Sequence, residues 1–143
     1  MEHFFSEDDR KAIVSAIQSA EELTSGEIRV HIQPETESVL DDAAETFATL
    51  GIHKTELRNG VLFFLATESK KFAILGDAGI NACVPEGFWN EISATMSDLF
   101  KQGQFAKGLE EGILLAGKAL QTHFPYDKTT DKNELSDDIS YKA

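Results

Sequence analysis

Six consecutive apolar residues, Val61-Leu62-Phe63-Phe64-Leu65-Ala66, constrain this chain more than any other feature. The run does not alternate, so a strand built from it places large side chains on both faces of a sheet, and both faces must be covered. It is far shorter than the roughly 20 residues that span a bilayer. Asn59-Gly60 is a turn signal just before it. After it, Lys70-Lys71 marks a second turn and Phe72 to Leu75 forms another apolar stretch, closed by Gly76. So short a connection predicts an antiparallel hairpin. Upstream, Ile28, Val30 and Ile32 alternate with Arg29, His31 and Gln33, which is a period-two strand ended by Pro34. That alternation puts His31 on the polar, surface-facing side.

Helical periodicity fills the remaining segments. Ser6 with Asp9 resembles a capping box, and Ile13, Ile17 and Ala20 follow over about 7–23. Val39, Ala43, Phe47 and Leu50 form a second helix that ends near Gly51. Pro85 suits the first turn of a third, whose apolar stripe is Phe88, Trp89, Ile92, Met96, Leu99 and Phe100. Gly103 separates it from a fourth, carried by Phe105, Leu109, Ile113, Leu114, Ala116 and Leu120. Gly108 and Gly112 share a face of that helix. Each glycine costs a helix about 1 kcal/mol, so close helix packing is the expected compensation. The order helix, strand, helix, strand, strand, helix, helix predicts an α/β fold, with helices on both faces of a small mixed sheet.

With 143 residues, the chain suits one domain. The folded part is expected to be residues 1–126, with 127–143 a flexible acidic tail holding too few apolar groups to offset its ordering entropy. The formal net charge is -12, from 25 Asp+Glu against 13 Lys+Arg. Phosphate affinity needs clustered Lys and Arg, so a nucleic-acid partner is excluded. So is docking on anionic lipid. One cysteine, Cys83, rules out a disulfide framework or a four-Cys zinc site and reads as a buried or half-buried thiol. Residues 1–10 lack a basic segment followed by an apolar one, so the expectation is a cytoplasmic protein without membrane insertion. Divalent cations are natural partners of such an acidic surface.

Topology indicates where the carboxylates meet. Strand one, helix two and strand two form a right-handed crossover, so the two strands run parallel. The third strand returns antiparallel. The starts of strands one and two and the end of strand three therefore lie at one end of the sheet. Glu27, Glu56, Asp77 and Glu86 sit there on four separate segments, with Asn59 and Asn81 adding neutral oxygens. All-oxygen shells of mixed carboxylate and carbonyl ligands suit Ca²⁺. Arg58 and Lys54 are the nearby compensating charges.

Thr24-Ser25-Gly26-Glu27-Ile28, Asn59-Gly60-Val61-Leu62, Gly76-Asp77-Ala78-Gly79-Ile80 and the glycine-paired helix from Phe105 to Ile113 together resemble the TPM-domain family over about residues 4–124. The likeness is to the stand-alone bacterial type. It implies a three-layer α/β/α sandwich with a small mixed central sheet, whose loops 51–60 and 76–86 cross at one sheet end. It also implies divalent metal there, calcium first and Mg²⁺ second, with Asp77, Glu27, Glu86, Glu56 and Asn59 as ligands by position. Plant-type relatives act in photosystem II repair and have been credited with phosphatase activity. An animal relative is a membrane-linked receptor modulator.

Three functions follow as expectations. The first is a calcium-binding module whose loops order on metal and present a surface to a protein partner. The second is a metal-assisted hydrolase of acid-phosphatase type. The residues favour it less, because no Cys-x5-Arg loop exists. Of His3, His31, His53 and His123, only His53 lies in the candidate loops. Gly76-Asp77-Ala78-Gly79 lacks the lysine of a phosphate cradle, and its aspartate would repel phosphate. The third is an acidic interaction domain that needs no metal.

Overall fold

A computed structural model describes residues 4–126 and 134–142. The elements in chain order are α1 (Glu7–Glu21), β1 (Glu27–Gln33), α2 (Val39–Thr49), a 3-10 turn (Ile52–Lys54), β2 (Gly60–Ala66), β3 (Lys71–Gly76), α3 (Ala78–Asn81), α4 (Asn90–Lys101), α5 (Phe105–Gln121) and β4 (Ser140–Tyr141). The apolar run becomes β2, and all seven residues of that strand are buried. It pairs in parallel with β1, from Glu27 opposite Gly60 to Gln33 opposite Ala66. On its other side β3 pairs antiparallel. The sheet order is β3-β2-β1-β4.

Both faces of β2 are covered, as its composition requires. Val61, Phe63 and Leu65 join Ile28, Val30 and Ile32 of β1 in a core under α1, α4 and α5. Leu62, Phe64 and Ala66 pack with Ala43 of α2 and Ile52 of the 3-10 turn. This is the three-layer α/β/α arrangement. Ser6 caps α1 by accepting a hydrogen bond from the Asp9 amide. Its acidic first turn, Glu7, Asp8 and Asp9, faces the positive end of the helix dipole. The glycines of α5 act as expected. A Cβ on Gly108 would lie 2.4 Å from the Phe100 ring, and one on Gly112 would lie 2.4 Å from the Met96 sulfur, so their absence lets α4 close onto α5.

Four features differ from the sequence expectation. The third long helix starts at Asn90 rather than Pro85, because Gly87 adopts a left-handed φ of 78° that breaks helical geometry. His31 is buried, not surface-facing: its ring stacks on Phe64 at 5.5 Å, its Nδ1 meets Ser140 Oγ at 2.9 Å and its Nε2 meets Gln33 Oε1 at 3.0 Å. Cys83 is exposed, in the turn that follows α3. Of the segment expected to be a flexible tail, 127–133 lies outside the described residues. Residues 134–142, by contrast, lie along β1. Ser140 and Tyr141 pair in parallel with His31 and Ile32, and Ile139 is only 7% exposed. Buried Ile139, with Tyr141 and Leu135 packed against the two core clusters, and a strand register thus hold a segment whose composition alone suggested otherwise.

Among the described residues no helix is long and apolar enough to cross a membrane.

Candidate functional site

The two loops expected to cross do meet at the sheet end. The Asp77 amide donates to the Gly60 carbonyl at 3.0 Å, and the Gly79 amide donates to the Arg58 carbonyl at 2.9 Å. Gly79 is required by this approach. A Cβ there would sit 2.3 Å from the Leu57 carbonyl oxygen and 2.7 Å from that of Arg58. The turn before β2 is fixed from within, with the Arg58 amide bonded to the Thr55 carbonyl and the Asn59 amide to Thr55 Oγ1 at 3.2 Å. Arg58 itself is held at a left-handed φ of 52°, which is uncommon for a residue with a long side chain.

Asp77 is the centre of this crossing. It is 6% exposed. Its Oδ2 accepts from Arg58 Nε at 2.8 Å and its Oδ1 from Arg58 Nη2 at 2.9 Å, a two-pronged arginine–carboxylate pair. Oδ1 also accepts from the Ala78 amide at 2.7 Å, capping α3. Burial by itself would raise this carboxyl. The Arg58 and Ala78 hydrogen bonds and the charges of Arg58 and His53 outweigh burial and hold it below the usual carboxylate range.

The other expected ligands are disposed differently. Asn59 is buried at the same crossing, but its Nδ2 donates to the Ser25 carbonyl at 3.2 Å and so ties the turn to the start of β1. Glu27 is buried at the head of β1. Its Oε1 accepts from the amides of Glu134 and Leu135, the latter at 2.7 Å. Burial, with the Glu134 carboxylate adding to it, pushes Glu27 up to about 7 despite those two hydrogen bonds. Glu56 and Glu86 are exposed, the latter beside a hollow of about 340 Å³ rimmed by Asn81, Pro85 and Trp89. Among the described residues no group of three or more His, Cys, Asp or Glu side chains is placed to hold a metal. The oxygen-bearing groups at the crossing itself are the Asp77 carboxylate, paired with Arg58, and the main-chain carbonyls of Leu57 and Arg58 packed over Gly79. The five-residue shell drawn from sequence position does not assemble in this arrangement.

Sequence reasoning missed Glu21. Its Oε2 accepts from the Ile28 amide at 3.2 Å, and burial together with a hydrogen bond to Asp137 pushes it up to about 9. It reads as one more polar residue near the end of an amphipathic helix, so only the docked position of 134–142 reveals its role.

Comparison with known proteins agrees with the fold. The TPM domain model matches residues 1–119. The chain is similar to the BA42 protein of the psychrophilic bacterium Bizionia argentinensis, with 45% identity, a TM-score of 0.92, and coverage of 97% of this chain and 96% of that one. It shares its fold with the N-terminal domain of a P. gingivalis protein, at TM-score 0.69 and 18% identity over 86% of this chain and 82% of that one. It also shares it with the N-terminal domain of the Corynebacterium glutamicum cg2496 protein, at TM-score 0.62 and 13% identity over 96% and 80%. No curated protein matches the sequence. With its profile matched over 119 residues and a sandwich closed at one end by two crossing loops, the chain belongs to the TPM-domain family.

Proposed function

We propose that the loop crossing is a divalent-cation-responsive site, with Asp77 as its central ligand and Arg58 as the counter-ion that yields to the cation. The observation that carries this reading is a carboxylate buried where two loops meet and balanced by an arginine whose side chain is 51% exposed. Such an arginine leaves at little desolvation cost. Its left-handed backbone is the kind of strain that concentrates at switch regions. Ca²⁺ suits the donor chemistry better than Mg²⁺, because it accepts irregular sets of carboxylate and main-chain carbonyl oxygens, whereas Mg²⁺ demands near-ideal octahedral geometry. A cation held by both loops stabilises their joined form by mass action. The ordered crossing then becomes a surface that a protein partner can read.

The test is a titration of Ca²⁺, then Mg²⁺, into chelator-treated protein, followed by backbone amide NMR. Saturable shifts across 51–60 and 76–86 are expected, stronger for Ca²⁺ and lost in Asp77→Asn. Equal shifts in that variant, or drift confined to 134–142, would overturn the assignment. Phosphomonoester turnover that exceeds a mock purification and vanishes in Asp77→Asn would move the same residue from a switch to a hydrolase.

A further inference from the structure

At the end of the sheet away from the loop crossing, Leu65 of β2 pairs with Phe72 of β3 just before the hairpin turn. There the hairpin and the corner between α4 and α5 enclose a hollow of about 510 Å³. Its apolar wall holds three half-buried rings, Phe72, Phe100 and Phe105. Phe72 meets Phe100 edge-on, with centroids 5.0 Å apart, and Phe100 stacks on Phe105 at 5.6 Å. The Phe100 ring lies over Gly108, where a Cβ would stand 2.4 Å from it, so the missing side chain on α5 sets the position of the wall. The polar groups around the hollow are few. Ser97 supplies a hydroxyl, and Lys70 and Lys101, both exposed, supply two positive charges. Neither lysine takes part in an ion pair among the described residues. No carboxylate lines the hollow.

We propose that this hollow binds a small aromatic carboxylate, its ring system against Phe72, Phe100 and Phe105 and its carboxylate between Lys70 and Lys101. The volume falls within the range of roughly 300–1,000 Å³ of small-ligand sites, which are mostly apolar with a few polar groups that fix orientation. Charge selects the anion. The chain as a whole carries -12, a field that repels an anion over most of the surface. Here two unpaired lysines reverse it locally. The acidic residues next to the lining in sequence, Glu68 and Asp98, are exposed and form no part of it. Ring geometry selects the body. Phenylalanine rings offer a flat partner both edges and faces, and edge-on and offset contacts are the arrangements aromatic pairs favour. The site lies at the opposite end of β2 and β3 from Asp77, so it is independent of the cation reading.

The probe is 2-naphthoate, titrated into the full-length ¹⁵N-labelled protein. Saturable amide shifts are expected across 65–72 and 97–105, with 51–60 and 76–86 unmoved. The neutral analogue 2-naphthylmethanol should bind about tenfold more weakly, the loss of one charge-assisted contact. Both lysines are exposed, so a variant carrying Lys70→Gln and Lys101→Gln should melt where the native protein does. It should lose about tenfold in affinity for 2-naphthoate and none for the alcohol. The proposal fails if the shifts fall elsewhere or do not saturate, if acid and alcohol bind alike, or if the doubly substituted protein keeps its affinity for the acid. Tighter binding of decanoate than of 2-naphthoate would overturn the aromatic assignment.

Discussion

Two residues decide what the crossing can do. Asp77 serves at once as the cap of α3 and as the partner of Arg58. Asp77→Ala is expected to cost about 1 kcal/mol from the lost cap alone, with a further loss from leaving the guanidinium unpaired, measurable by urea denaturation. Arg58→Gln separates the two roles. It removes the competing charge and keeps the carboxylate, so the cation-free protein should melt lower while Ca²⁺ binds several-fold more tightly by calorimetry. If Arg58 is instead only a structural partner, the melting point falls and the affinity stays where it was. Gly79→Ala acts on the main chain. Two carbonyl oxygens stand where its Cβ would go, and neither belongs to a flexible side chain. A loss of about 1–3 kcal/mol is expected, together with weaker Ca²⁺ binding as the loops part.

Among the elements, α5 sets the spacing of the helical layer through small residues. Gly108 and Gly112 announce themselves in the sequence because glycine four apart in a helix needs a reason. Gly117 has no such partner, yet of the three α5 glycines it alone is pressed against backbone. A Cβ there would meet Ala20 Cβ at 2.8 Å and Ala20 Cα at 2.9 Å. Gly117→Ala gains helix propensity of about 1 kcal/mol but forces α1 from α5, so a net loss of about 1–3 kcal/mol is expected by thermal or chemical denaturation. What could be read in advance follows the same division. β2 was legible because a run of bulky apolar side chains has few places to go, and the shared end of the sheet followed from the order of the strands, whereas the crossing of the two loops was implied only by the family resemblance. The start of α4 was not, because the positive φ of Gly87 breaks a helical periodicity that Phe88 and Trp89 continue in the sequence. Asp77 could be picked out from topology. The true duty of Glu27 could not, since its hydrogen-bond partners lie 107 and 108 residues away.

For the whole molecule, the carboxylates set an unusual dependence on pH. Glu21 and Glu27 titrate in the folded chain at about 9 and about 7, above the ordinary 4.5. Their contribution to stability is therefore complete below that ordinary value and is lost as the pH rises through 7 toward 9. Asp77 has the opposite sign. Its folded carboxyl lies below the ordinary 3.8, so the stability it supplies is present above that value and fails in stronger acid. Thermal melting should thus be highest in mildly acidic buffer and decline on the alkaline side. Glu21→Gln, which keeps the acceptor for the Ile28 amide, should flatten that decline in melts recorded from about pH 5 to pH 9. A variant that declines as steeply as the native protein would show that Glu21 does not couple to folding.

The pairing of β4 with β1 also sets an order of events during synthesis. His31 meets Ser140 across 109 residues of chain. Every other described element leaves the ribosome before the segment that covers the edge of β1. Contacts this distant in sequence form late. Until they form, a strand with Val30 and Ile32 along it presents open main-chain groups to solvent or to a neighbouring nascent chain, the geometry from which sheet aggregation starts. The carboxylates of Glu21 and Glu27, both ionised when water still reaches them, stand beside that edge during the interval. They would act as gatekeepers first and as anchors only once the last strand arrives.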